Sequence, residues 1–256
     1  MNNHELTLKK LDITDLKNLI DLQDKIISDL RTDEQHFILH RTASDFLNAL
    51  SSSSTYVFGL YDGDKLVSQS ILSLPQDNEE RELPEFLSER KNSEIAIYKA
   101  VLVDPQYRGR GLMKRMLQIR EDTAVLNGRK IAITQIAADN PASWINALQY
   151  GMQVTKVGLD PIDNAEVIYL QKRLDGKIEP RLNTQKTFPM LLGKDIHHQV
   201  PILFHKMQKL SADGWVATSL TKEKNGYRLI WNPIEETAQT IRLTPLYNDI
   251  RAAKSL

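Results

Sequence analysis

Apolar positions follow two rhythms along this chain, and the points where one gives way to the other predict its elements. Residues 5–11 alternate as a strand does. Leu16, Leu19, Ile20, Leu22 and Ile26 then recur at helical spacing behind Thr14 as the expected cap. A short helix is predicted over 44–50, before the run Ser51-Ser52-Ser53-Ser54. β-Branched and aromatic residues at 55–61, the turn Asp62-Gly63-Asp64 and an apolar stretch at 65–74 predict a hairpin. Residues 75–93 are highly charged and read as a surface loop with one helical turn near Phe86-Leu87. A long strand comes next over 94–103 and stops at Asp104-Pro105. A helix is predicted over 111–126, with Leu112, Met116, Ile119 and Thr123 on one stripe and Arg115, Arg120 and Glu121 elsewhere. Asn127-Gly128 ends it. Residues 130–137 form an apolar strand. Asn140-Pro141 opens a helix that Gly151 closes, and two strands, 153–157 and 166–174, flank Asp160-Pro161.

Strands 94–103 and 130–137 are joined through a helix, so they are expected to be parallel neighbours with a right-handed crossover. The hairpins elsewhere require antiparallel pairs. The prediction is an α/β (mixed α+β) fold with a mixed central sheet flanked by helices, over residues 1–174. After a linker at 175–180, residues 181–256 read as a small C-terminal α+β domain. It has a helix around 202–210, strands near 215–220, 227–231 and 240–243, and a short final helix.

Composition narrows the classes. The 256 residues are 41% hydrophobic and 26% charged with a formal net charge of +0, which fits a globular chain and gives no sign of general nucleic-acid binding. That zero hides an asymmetry. Residues 181–256 hold 11 Lys/Arg against 6 Asp/Glu, and the first 180 hold 22 against 27, so the parts carry +5 and −5. With no cysteine there is no disulfide, thiolate metal site or cysteine nucleophile. The first residues lack a signal-peptide pattern and no apolar run approaches the ~18 residues needed to span a bilayer, so a cytoplasmic protein without a membrane partner is expected. His197, His198 and His205 have no evident carboxylate partner, and no metal is expected.

The chemistry concentrates in Leu102-Val103-Asp104-Pro105-Gln106-Tyr107-Arg108-Gly109-Arg110-Gly111-Leu112, where a strand stops, a glycine-bearing turn intervenes and a helix begins. Free N–H groups and the dipole at a helix start favour an anion, and glycines let a ligand approach the backbone. Arg108 and Arg110 add positive charge. The lysine–hydroxyl pair of a nucleotide P-loop and the third glycine of a dinucleotide fingerprint are both missing.

The string from Gln106 to Gly111 resembles the Gln/Arg-x-x-Gly-x-Gly/Ala pyrophosphate loop of the GNAT superfamily of N-acetyltransferases, and the order of elements over roughly 5–174 matches as well. The resemblance implies acetyl-CoA as cosubstrate. The backbone of Tyr107, Arg108, Gly109, Arg110, Gly111 and Leu112 would hold its pyrophosphate, with Gln106 opening the loop. Leu102 and Val103 would pair with the pantetheine arm where the strands ending at Val103 and Ala137 part. Asn140 would bond that arm, or serve only as a helix cap. In many members a tyrosine seven residues after that asparagine protonates the thiolate. Here the position is Ala147, and Met152 replaces an aromatic. Tyr150 lies one turn late, and Ser143 and Tyr98 are other hydroxyls that could reach the sulfur. Glu94 and Tyr98, on one face of the strand, are candidate bases. The implied activity is transfer of an acetyl or other acyl group to an amine acceptor, small molecule or protein, by direct attack in a ternary complex. Ala147 keeps open a non-catalytic acyl-CoA sensor or interaction module. The C-terminal part could shape the acceptor site, form a homodimer face or bind a partner.

Overall fold

The computed structural model describes residues 5–79, 90–161, 163–176 and 182–235. The predicted turn at Phe86-Leu87, the strand at 240–243 and the final helix lie outside them. Chain order begins with β1 (Thr7–Lys10), α1 (Leu16–Asp29), α2 (Ala43–Ser51), β2 (Thr55–Asp62), β3 (Lys65–Ser73) and β4 (Ile95–Val103). It continues with α3 (Leu112–Leu126), β5 (Ile131–Ala137), α4 (Pro141–Gln149), β6 (Gln153–Leu159) and β7 (Glu166–Arg173). The C-terminal part supplies β8 (Phe188–Gly193), α5 (Ile196–Ala212), β9 (Trp215–Glu223) and β10 (Gly226–Pro233).

Among the described residues the strands form one sheet in the order β1-β2-β3-β4-β5-β7-β6-β9-β10-β8. The pair β4–β5 is parallel, as the intervening helix requires. Its neighbours β3–β4 and β5–β7 are antiparallel, so the sheet is mixed. Alternation along the strands feeds two cores. Val57, Tyr61, Leu66, Ile71 and Leu102 pack on Leu19, Leu22 and Ile26 of α1 and Phe46 of α2. The opposite face sends Leu60, Leu72, Ala96 and Tyr98 against Leu112, Met116 and Leu117 of α3 and Trp144 and Leu148 of α4. That second cluster runs on without a break into Val200, Leu203, Phe204 and Met207 of α5 and Trp231 of β10.

Local details depart from the sequence reading in four places. Asp12, not Thr14, caps the first helical segment: its carboxylate accepts from Thr14 N at 2.8 Å in a reciprocal box with Asp15. α5 starts at Ile196, six residues earlier than predicted, and carries Pro201 inside it. β8 has no counterpart among the predicted strands. In α3 the buried positions are Leu112, Met116, Leu117, Arg120 and Ala124, so Arg120 belongs to the core-facing side rather than off it.

Candidate functional site

The parallel pair at the centre of the sheet is incomplete. β4 and β5 pair only over Ile95↔Ile131, Ala96↔Ala132 and Ile97↔Ile133, although both strands continue beyond. Two features open the gap. Between Val101 and Tyr98 two residues of β4, Lys99 and Ala100, oppose the single residue Ile71 of β3, a bulge that bends β4. The Thr134 hydroxyl then donates to Tyr98 O at 2.8 Å and satisfies the first carbonyl past the last paired rung. Burial changes at that point. Ile95–Tyr98 and Ile131–Thr134 are buried, whereas Lys99–Val101 and Gln135–Ala137 are half-buried.

Strand phase decides which backbone groups face the gap. Asp104 N–H donates to Val67 O at 2.9 Å, so Asp104 and Leu102 turn their backbone toward β3. Val103 and Val101, one residue out of phase, turn theirs to the gap, and their side chains lie on the α3/α4 face with Ile136. Of the two strand residues expected to meet a ligand, Val103 turns its backbone to the gap, while Leu102 packs its side chain into the α1/α2 core.

Above the gap sits the glycine loop. Asp104 stops β4 and organises the turn after it: its carboxylate accepts from Gln106 N at 3.0 Å and pairs with Lys25 at 2.7 Å and Lys65 at 2.9 Å. Burial works against its ionisation, yet these bonds outweigh burial and hold the carboxyl down at about 2. Tyr107 O–H donates to Asp62 at 2.6 Å, and Lys65 and Arg110 flank its ring at 4.9 and 4.7 Å. Gly109 and Gly111 take φ of +74° and +75°, the left-handed region, and a Cβ at either would meet nothing within 4 Å. The loop's shape thus comes from its ends, and its exposed backbone leads directly into the first turn of α3. Arg108 reaches Asp29 at 3.1 Å, and Arg110 donates to Gln106 O at 3.4 Å.

Across the gap, Asn140 caps α4, its side-chain oxygen accepting from Ser143 N at 3.2 Å, which leaves the amide nitrogen for a second contact. Next to it Asp139 bonds His36 Nε2 at 2.6 Å and so ties the segment between α1 and α2 to the end of β5. Gln135 bonds Asp160 at the β6–β7 turn. Sequence reasoning missed the His36–Asp139 pair, because the two residues stand 103 positions apart and neither belongs to a motif.

Of the three catalytic candidates, Tyr98 and Tyr150 lie within electrostatic reach of each other and of Arg120, and Glu94 stands apart with Lys130 and Arg90. Tyr98 is the first residue above the closed rungs, on the α3/α4 face, and burial raises its hydroxyl despite the neighbouring guanidinium of Arg120. Glu94 stands below the paired rungs, bonded to Lys130 and 3.7 Å from Arg90; the Lys130 bond lowers its carboxyl. Tyr150 ends α4, donates to Gln118 at 3.2 Å and lies under Lys172, with burial and Glu121 raising its hydroxyl. Ala147, at the position of the family's tyrosine, is 2% exposed. Among the described residues no cluster of three or more His, Asp or Glu side chains could hold a metal ion, and no helix is long and apolar enough to cross a membrane.

A sequence model described as the acetyltransferase (GNAT) family matches residues 21–149, from α1 to the end of α4, and so takes in the gap and the glycine loop. The chain belongs to the GNAT acetyltransferase family. Solved structures with the same fold extend past the matched range. The ribosomal-protein-S18-alanine N-acetyltransferase of Escherichia coli aligns at 16% identity and a TM-score of 0.51, over 68% of this chain and 97% of its own. YncA of Salmonella typhimurium, solved with its cofactor acetyl-CoA, aligns at 16% identity and 0.51, over 69% and 98%. An N-acetyltransferase of Staphylococcus aureus aligns at 13% and 0.52, over 67% and 99%. No curated protein sequence matches the chain. These GNAT structures are covered almost end to end, so about a third of the present chain lies beyond what they share with it.

Proposed function

We propose that this GNAT protein is an acyl-CoA-dependent N-acyltransferase that passes an acetyl or related acyl group to an amine. The observation that carries the reading is the gap between β4 and β5 above Ile97↔Ile133, opening directly beneath the glycine loop. The residues fit the cosubstrate. The N–H groups from Gly109 into the first turn of α3 suit a pyrophosphate, those of Gln106, Tyr107 and Arg108 being bonded within the turn, with the Arg108 and Arg110 side chains beside them. Val101, Val103 and Ile136 give an apolar lining with unpaired strand backbone, which suits an arm of alternating methylene and amide groups. Asn140 offers its amide nitrogen from the far side.

The acceptor amine enters where His36, Asp139, Gln135 and Asp160 surround the open end of β5. Carboxylates there favour a cationic amine. His36 takes the proton from the attacking ammonium. Its Nε2–H faces Asp139, which leaves Nδ1 as the acceptor, and Asp139 holds the ring in that tautomer. The amine nitrogen attacks the thioester carbonyl, a C–N bond forms, the C–S bond breaks, and the surplus proton on the new amide nitrogen passes to water. An N–H on the gap side of β4, with Val101 so placed, steadies the oxyanion. The coenzyme leaves as a thiolate, which near its own pKa of ~8.5 departs without a dedicated acid, in keeping with Ala147. Tyr98, kept as a phenol by burial, donates a hydrogen bond rather than accepting a proton.

Ala147 also favours a second reading, binding without turnover. Calorimetry with coenzyme A, together with release of free thiol in the presence of an amine panel, separates the two. Binding with thiol release supports transfer, binding without release supports a sensor, and no binding to the folded protein removes both.

A further inference from the structure

Among the described residues Arg120 is the least explained charge. It lies on the core side of α3 and is 2% exposed, yet its Nε and Nη1 have no hydrogen-bond partner. Its guanidinium stacks on the ring of Tyr98 at 4.6 Å, and the Tyr98 hydroxyl, also buried, has no partner either. Buried polar groups are almost always satisfied, and a buried guanidinium is among the costliest to leave bare. The carboxylate next to it in sequence is committed elsewhere, since Glu121 pairs with Lys172 at 2.7 Å.

The place of this pair is as informative as its lack of partners. Tyr98 is the first residue above the closed rungs of β4 and β5, where the arm of a bound coenzyme would end. Its side chain and Arg120 lie on the face that carries Val101 and Val103. Along α3, Arg120 stands eight residues below Leu112, about 12 Å from the anion-binding helix start. The pair therefore lies nearer the closed end of the gap than the phosphate-binding helix start. The acetyl group's one acceptor is its carbonyl oxygen, already placed on the N–H of β4, and its methyl end gives these donors no partner.

Resting on the acyl-CoA reading above, we propose that the preferred acyl donor ends in a carboxylate, a short dicarboxylic acid monothioester such as succinyl-CoA, with Arg120 and Tyr98 as its recognition pair. The carboxylate accepts from Arg120 Nε and Nη1 in the side-on geometry that guanidinium offers, and Tyr98 O–H supplies a further donor.

Calorimetric titration of the unmodified protein with coenzyme A, butyryl-CoA and succinyl-CoA tests this, butyryl-CoA being the neutral match in chain length. A charge-assisted bond of ~1.5–3 kcal/mol predicts succinyl-CoA binding roughly 10- to 100-fold tighter than butyryl-CoA. Arg120→Met should reverse that order, and Tyr98→Phe should narrow it several-fold. Equal or weaker binding of succinyl-CoA by the unmodified protein, with coenzyme A bound normally, overturns the carboxylate proposal alone. Failure of every coenzyme A compound to bind overturns the gap as a cofactor site, and this proposal with it.

Discussion

Replacing Asp104 by Asn tests whether one buried carboxylate builds the glycine loop. The carboxyl lies at 0% exposure and is held at about 2 against an ordinary 3.8. A difference of that size corresponds to about 2 kcal/mol of folding stability. Its folded value is depressed, so the contribution is fully present above the unfolded value of 3.8 and is lost as pH falls through about 2. Lys25 and Lys65 are 39% and 45% exposed and can return to water once the carboxylate is gone, so no bare buried charge adds to the loss. Asn keeps one acceptor for Gln106 N–H. The expectation for Asp104→Asn is therefore a loss of about 2 kcal/mol at pH 7, read by urea unfolding. For a chain of this length that is a midpoint drop of roughly 4–8 °C. The gap between variant and parent should close as the pH is taken from 4 toward 2. Equal stability at pH 7, or a difference that persists undiminished at pH 2, would refute the reasoning.

Gly111→Ala forces a left-handed φ on a residue with a Cβ, which costs about 1 kcal/mol of stability, and should weaken coenzyme A binding by tenfold or more in calorimetry if the loop backbone cradles the pyrophosphate. An affinity that tracks only the small stability loss would argue against a backbone cradle. His36→Ala should lower kcat by about 100-fold with little change in thermal midpoint, since the ring is exposed on the surface; an unchanged kcat would remove it as the base. Arg120→Met should stabilise the ligand-free protein. Burial pushes the guanidinium from 12.5 down to about 10, so at any pH below that its charge opposes folding by roughly 3 kcal/mol. The lost ring contact returns about 1–2 of these. The midpoint should rise by several degrees in differential scanning calorimetry, and a fall would show that Arg120 has a partner.

Most of the fold was legible because its elements bury one face in a regular rhythm. The strand at Ile95–Val103, the helix that begins at Gly111 and the helix opened by Asn140-Pro141 all announce themselves by spacing and caps. The failures share a cause, a residue whose local habit is overridden by distant packing. Pro201 normally marks a helix start, yet α5 runs through it because Ile196 and Val200 on the preceding turns are buried against the sheet. β8 carries Pro189 and an exposed Leu191 and looks like a loop until β10 supplies a partner. Arg120 reads as solvated by its chemistry, and only the i, i+4 ladder of Leu112, Met116 and Ala124 places it inside. The glycine loop was readable as an anion cradle, but the bulge that opens the gap beneath it has no local signature, since it depends on Ile71 of another strand. His36 and Asp139 meet only in three dimensions.

The run of the sheet into the C-terminal strands has a consequence for self-association. Without β9, β6 would end the sheet and offer a row of bare N–H and C=O groups to any passing strand. In this chain Val154 pairs with Ala217, and Ser211 of α5 reaches Val157 N at 3.2 Å. The last quarter of the described chain thus doubles as a guard rail: a version cut after residue 176 would carry an open strand flank beside a stripped apolar face, and its first failing would be precipitation rather than loss of chemistry.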